Sequence, residues 1–158
     1  GREWQLATIQ IDFNMPARFG LEYNDKDGKK KTPVMIHRAI AGSIERFLSV
    51  IIEHFAGNFP FWLSPVQAII LPISETHLEY AKSASKQLKE TGIRVNVDES
   101  NETLGKKIRN AKLQKIPYIL VVGDKEKESM TITIESRDAG SLGAMTIEKY
   151  IGHIKSEL

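Results

Sequence analysis

The chain contains no cysteine. Disulfides, thiolate zinc sites and thiol catalysis are therefore excluded within it, and the composition suits a reducing, cytoplasmic setting. No run of about 18 apolar residues occurs, so no membrane-spanning helix is expected. No basic leader with an apolar stretch opens the chain, and secretion is not indicated. Excess charge is also lacking: 22 Lys and Arg against 20 Asp and Glu leave +2, too little to announce nucleic acid by itself. Histidine is scarce at four, so a lone one in a strand asks for a reason. What is present is 158 residues, 41% of them hydrophobic, enough to bury a core as one domain or two small ones. The first residue is Gly1 and not Met, and the chain reads as a piece of a longer protein.

Two blocks are legible. In "WQLATIQIDF", Ala7, Ile9, Ile11 and Phe13 alternate with Thr8, Gln10 and Asp12, which predicts a strand with one polar face. "YNDKDGKKK" carries an Asp-Gly pair and predicts an exposed hairpin tip. "PVMIHRAI" predicts a second strand. From Gly42 the period changes to 3.6, with Ile44, Phe47, Leu48, Ile51 and Phe55 on one stripe of a helix that Gly57 closes. "FPFWLSPVQ" then sets prolines around an aromatic pair, a connector that packs down, and a domain boundary is placed here. The second block alternates strand and helix: "VQAIILPI", a helix over "ETHLEYAKSASKQLKETG" with Gly92 as its stop, "IRVNV", "TLGKKIRNAKLQ", "YILVVG", "TITIES" and a terminal helix over "TIEKYIGHIKSEL". Such alternation predicts right-handed crossovers and a mainly parallel sheet covered by helices.

The candidate chemistry is sparse. His37 taken alone reads as a hydrogen-bonded core histidine, since one imidazole offers no ligand spacing. Arg46 lies opposite the apolar stripe of its helix, just after a Gly-Ser start whose free N–H groups favour anions. A guanidinium there suits phosphate, and equally a solvated or paired arginine. Residues 103–117 hold five basic residues and no acid. Leu104, Ile108 and Ala111 form the apolar stripe of that helix. Lys106 and Arg109 point away from it, and Lys107 and Lys112 flank it. This pattern suits a phosphate-tracking helix or a solvated one. "VVGDKEKES" follows a strand but lacks the spacing of a nucleotide-binding loop.

"GREWQLATIQIDFNMPARFGLEY", "PVMIHRAIAGSIERF" and "FPFWLSPVQ", in this order, resemble the end of the class II catalytic domain of the threonyl-tRNA synthetase family. "SNETLGKKIRNAKLQKIPYILVVGDKE" and "LGAMTIE" resemble that family's anticodon-binding domain. The resemblance covers essentially the whole chain. It implies an α/β fold class: residues 1–62 as the C-terminal part of an antiparallel-sheet catalytic domain with motif 3, and 63–158 as an anticodon-binding domain with a mixed, mainly parallel sheet.

It also implies roles. His37 matches one of three protein ligands to a zinc ion that holds the threonine amine and hydroxyl, the other two ligands lying upstream. Arg46 matches the catalytic motif 3 arginine that clamps ATP phosphate. Gln5 and Thr8 match positions near ATP, and Gln10 and Ser43 positions lining the threonine pocket. Gln5 and Gln10 have opposite strand parity, so both serve one pocket only if the strand bulges or Gln5 precedes its regular part. In the second domain Asn101, Arg109 and Glu126 match positions used for the anticodon and Arg137 sits in the corresponding sheet edge; with Lys106 of the basic helix these are the expected tRNA-binding residues. Glu135 stands where the family usually carries a basic residue, and Leu6 where it often carries cysteine. The implied function is ATP-dependent threonine activation and transfer to tRNA(Thr) by a homodimeric parent, with anticodon recognition by this portion. ATP and Zn2+ are then cofactors of the parent, with none tightly bound by the chain alone. The alternative is a non-catalytic RNA-binding or accessory module derived from the same fold.

Overall fold

The computed structural model describes residues 2–157, so Leu158 of the expected terminal helix lies outside them. The chain separates into two compact units, Gly1–Gly57 and Asn58–Leu158.

In the first unit, strand β1 (Thr8–Asp12) is antiparallel to β4 (Met35–Ala39), with Gln10 opposite His37. Between them lie a one-turn helix α1 (Met15–Arg18) and the hairpin β2 (Tyr23–Asn24) and β3 (Lys30–Lys31). The tip of that hairpin is the expected Asp-Gly turn, in which the Gly28 N–H donates to Asp25 O at 2.8 Å. Helix α1 carries no periodic signal. The Asp12 carboxylate starts it by accepting from the N–H groups of Asn14 (2.8 Å) and Met15 (2.9 Å), with Pro16 in the first turn. Helix α2 (Ile44–Phe55) is capped by Ser43, whose Oγ accepts from Arg46 N at 3.1 Å.

Residues directly opposed in an antiparallel pair share a face. One face of the β1–β4 ribbon therefore carries Thr8, Gln10, Asp12 and His37, and the other Ile9, Ile11 and Ile36. That apolar face is open: Ile9 is 70% and Ile36 65% exposed. The α2 stripe behaves alike, with Ile44 and Leu48 exposed, Phe47, Ile51 and Phe55 half-buried, and no residue buried. The amphipathic pattern is real, yet this unit supplies little to cover it.

The second unit has its own core. Its sheet runs β6-β5-β7-β8-β9, made of β5 (Ala68–Pro72), β6 (Val95–Val97), β7 (Tyr118–Val122), β8 (Ile132–Ser136) and β9 (Gly140–Met145). The first three strands are parallel, and β8 and β9 add antiparallel pairs at one edge. Helices α3 (Leu78–Glu90) and α6 (Ile147–Ile154) pack on one face through Ala81, Ala84, Leu88, Ile147, Tyr150 and Ile154, against Ile70, Leu120 and Ile134. Helix α4 (Leu104–Leu113) packs on the other through Leu104, Ile108 and Ala111, against Ile69, Leu71, Ile119 and Val121.

Two elements appear that no sequence period announces. Helix α5 (Asp124–Ser129) has no apolar stripe, and Glu126 Oε2 holds its start by accepting from Gly123 N at 3.0 Å. Strand β9 is poor in β-branched residues and takes its conformation from pairing with β8, with a register shift between Ile134 and Glu135.

The connector 58–64 belongs to the second unit because polar groups clasp it. Buried Gln67 donates through Nε2 to Phe61 O (3.0 Å) and accepts at Oε1 from Arg94 N (2.9 Å). Arg94 donates from Nε to Ser64 O (3.0 Å) and from Nη2 to Trp62 O (2.7 Å).

Candidate nucleic-acid interface

Strand β8 alternates strictly. Ile132, Ile134 and Ser136 point into the core, while Thr133 and Glu135 emerge on the α4 side. Helix α4 covers β5 and β7 on that side and leaves β8 and β9 open. The open face is paved with small groups, since Ala144 lies opposite Thr133 and Ser141 opposite Glu135. It is a partly exposed sheet surface, with Thr133 and Glu135 half-buried and Ser141 and Ala144 exposed.

Charged side chains rim this face. Glu135 Oε1 accepts from Lys112 Nζ of α4 at 2.6 Å. Arg109 precedes Lys112 by three residues, one turn nearer the helix start and farther round α4, on the side away from its apolar stripe. It is exposed and has no polar partner among the described residues. At the other end of β8, Thr133 donates its hydroxyl to Glu126 Oε1 at 2.7 Å. Burial pushes the Glu126 carboxyl up, but the Thr133 hydroxyl and the N–H groups of Glu126 and Gly123 outweigh it and hold it below the ordinary value. Just past β8, Arg137 is already engaged: Nε and Nη2 reach Asp138 at 3.0 and 2.9 Å, and Nη1 donates to Lys115 O at 3.0 Å.

The remaining expected tRNA positions sit at the carboxyl ends of the parallel strands. Asn101 is exposed in the turn between β6 and α4. Lys106 is also exposed and is paired with Glu102 at 2.8 Å. Lys107, expected on the helix flank, is instead buried at 4% exposure and donates from Nζ to Pro72 O and Asp98 O, each at 3.2 Å. The flank assignment fails because Lys107 completes the i, i+3, i+4, i+7 set with Leu104, Ile108 and Ala111. Its place in that stripe was the available signal.

In the first unit, the polar face of the ribbon gathers Thr8, Gln10, Asp12 and His37, and Gln10, Asp12 and His37 line a shallow concavity. Gln5 lies in irregular backbone before β1, so strand parity does not constrain it. His37 Nε2 is 3.2 Å from Asp12 Oδ2. The Asp12 carboxyl is held low, chiefly by the Met15 N–H, then by Asn14 N–H and His37. Arg46 occupies the first turn of α2, one residue from Glu45, and is exposed. The Ser43 hydroxyl caps α2 and donates to Glu45 Oε2 at 3.0 Å. Gly42 has φ +61°, and a Cβ there would stand 3.1 Å from Leu6 O. The small residue at this point serves a close approach of the chain to itself. Among the described residues no three His, Cys, Asp or Glu side chains are gathered as a metal site. A tetrahedral zinc needs three or four protein ligands, so Asp12 and His37 do not hold one by themselves.

Two family models match in chain order. The one described as "tRNA synthetase class II core domain (G, H, P, S and T)" matches residues 1–55, and "Anticodon binding domain" matches 67–157. The class shown over more than half of the chain is that of the anticodon-binding domains, preceded in the chain by a segment similar to a class II synthetase core domain. The threonine–tRNA ligase of Citrifermentans bemidjiense is 56% identical over 157 residues, 99% of this chain and 25% of its own length. That of Caldanaerobacter subterraneus is 53% identical over the whole chain and 24% of its own length. A crystal structure described as the RNA binding domain of threonyl-tRNA synthetase from Cryptosporidium parvum superposes with a TM-score of 0.88 at 44% identity, covering 99% of this chain and 40% of that one. Prolyl-tRNA synthetase from the same organism, at 24% identity and a TM-score of 0.66 over 96% of this chain and 34% of that one, shares the fold.

The chain belongs to the anticodon-binding domain family, in the form that resembles the C-terminal portion of threonine–tRNA ligases. It spans about a quarter of the length of the relatives it matches. The resemblance drawn from the quoted phrases and the α/β fold class are both borne out.

Proposed function

We propose that this chain is the C-terminal portion of a threonine–tRNA ligase, and that its second unit binds the anticodon region of tRNA(Thr). The open β8–β9 face carries the reading. It offers small groups and a Lys112–Glu135 pair at the edge of an uncovered sheet, with an exposed Arg109 on the neighbouring helix that has no polar partner among the described residues. Single-stranded nucleic acid is commonly held on such a surface by stacking and by cations along its rim.

In the parent enzyme, threonine is activated with ATP and transferred to the tRNA. Arg46, in the first turn of α2, holds ATP phosphate in its planar fork. Gln5 and Thr8 line the nucleotide, Gln10 and Ser43 the threonine, and His37 is one of three zinc ligands, with Asp12 orienting its ring. A zinc ion in that site would let the enzyme select threonine by its hydroxyl, since a valine isostere would leave the site unsatisfied. The open apolar face of β1, β4 and α2 is covered by the rest of the catalytic domain. The parent is a cytoplasmic homodimer. Among the described residues no helix is long and apolar enough to cross a membrane.

The test is binding of a threonine anticodon stem-loop to this chain by titration, with a scrambled-loop control. Tighter binding of the cognate loop is expected, and equal or absent binding refutes the reading. Threonine-dependent ATP–pyrophosphate exchange by the pure chain is expected to be nil. The separated constellation cannot supply the rate that orientation provides.

A further inference from the structure

Parallel strands end with carbonyl groups that have lost their ladder partners. At the carboxyl ends of β5 and β6 these include Pro72 O and Asp98 O, and both accept from Lys107 Nζ. Lys107 is nearly fully buried, and its polar partners among the described residues are these two carbonyls. Burying a lysine against neutral acceptors is costly, so the arrangement needs a return in structure or function. The return lies in the turn that carries Asn101. Asp98 is pinned three ways: its N–H donates to Ile70 O at 2.9 Å, its carbonyl accepts from Lys107, and its carboxylate accepts from Ser100 N at 2.9 Å. Lys107 stands in the second turn of α4. Its side chain therefore closes the segment 98–107 into a ring, with Asn101 near the outer end.

We propose that Lys107 is a positioning residue for RNA recognition: it fixes the Asp98–Asn101 turn in the shape that presents Asn101 to the anticodon loop. The proposal rests on the anticodon reading above. Lys107 does not itself touch phosphate. The crevice beside it is rimmed by Glu75, Glu99 and Glu102, which repel a phosphate, and Nζ lies beneath the turn.

The experiment uses the full 158-residue chain and an anticodon stem-loop, titrated at several salt concentrations. The proteins are wild type, Lys107→Met, Asn101→Ala and the double variant. Lys107→Met is expected to weaken binding about tenfold with the salt slope unchanged. The double variant should bind no more weakly than the weaker single one, because Asn101 has nothing left to contribute once its turn is released. A direct phosphate contact would instead reduce the slope by about 0.7, and that result overturns the proposal. So does additivity of the two substitutions, or wild-type affinity in folded Lys107→Met. Should Lys107→Met fail to fold, Lys107→Gln keeps a polar donor in the buried site but is one bond too short to bridge both carbonyls, and it is judged by slope and additivity in the same way. A wild-type chain that binds no stem-loop overturns the anticodon reading itself, a result distinct from loss in the variant alone.

Discussion

Glu135→Arg is the most informative single substitution. In the structure Glu135 faces the open side of β8 and is held by Lys112 at 2.6 Å, with their side chains 34% and 57% exposed. An ion pair this exposed is worth well under about 1 kcal/mol, so losing it costs little stability. The gain comes from what it releases. The substitution removes a carboxylate that repels RNA, frees Lys112 and adds a guanidinium beside it. Two cations then face the sheet where a neutral pair stood. Repulsion between them consumes part of the benefit, and affinity for an anticodon stem-loop should rise by about 1 kcal/mol, roughly fivefold, at 50 mM salt. Each phosphate contact on single-stranded RNA adds about 0.7 to the salt slope, so two add about 1.4. Raising salt to 200 mM should therefore erase the whole gain. The assay is a set of binding isotherms across that range for wild type, Glu135→Arg and Glu135→Gln, with Glu135→Gln falling between the others. Superimposable isotherms for all three, with a wild type that binds, would place β8 outside the interface. A gain that persists at 200 mM would mean base contacts and not charge.

Three further outcomes are expected. Gln67→Leu leaves Arg94 N and Phe61 O without their partner in a buried site, which should cost about 2 kcal/mol of second-unit stability. Urea denaturation measures it, and a loss below about 0.5 kcal/mol refutes the clasp. Glu126 has a lowered carboxyl pKa, so its stabilisation is complete above the ordinary value of 4.5 and fades as pH falls through the lower folded value. Protection of the Gly123 amide, corrected for the intrinsic exchange rate, should fall correspondingly on acidification, and an identical fall in Glu126→Gln would remove Glu126 as its cause. Elemental analysis should find less than one zinc per chain, because Asp12 and His37 fall short of a four-coordinate set. Stoichiometric zinc lost on His37→Ala would reveal a complete site.

Local order was legible because it repeats within a few residues. The period of two over Thr8–Asp12, the 3.6-residue stripe of Ile44–Phe55 and the apolar runs of β5 and β7 each state their element without reference to distant chain. The quoted phrases that resemble threonyl-tRNA synthetases are equally local, and they carried the family and the expected site residues. The contacts that decide what those residues do join segments far apart. His37 meets Asp12 only because β4 returns beside β1, and Lys112 meets Glu135 only because α4 packs next to the open half of the sheet. Strand β9 and helix α5 have no period of their own, and they form where β8 and the Glu126 carboxylate offer hydrogen bonds. Lys107 shows the division most clearly. Charge alone sends a lysine to solvent, and helical phase put it on the buried stripe. Only the assembled sheet, with two strand-end carbonyls lacking ladder partners, supplied acceptors that make burying it the lower-energy choice.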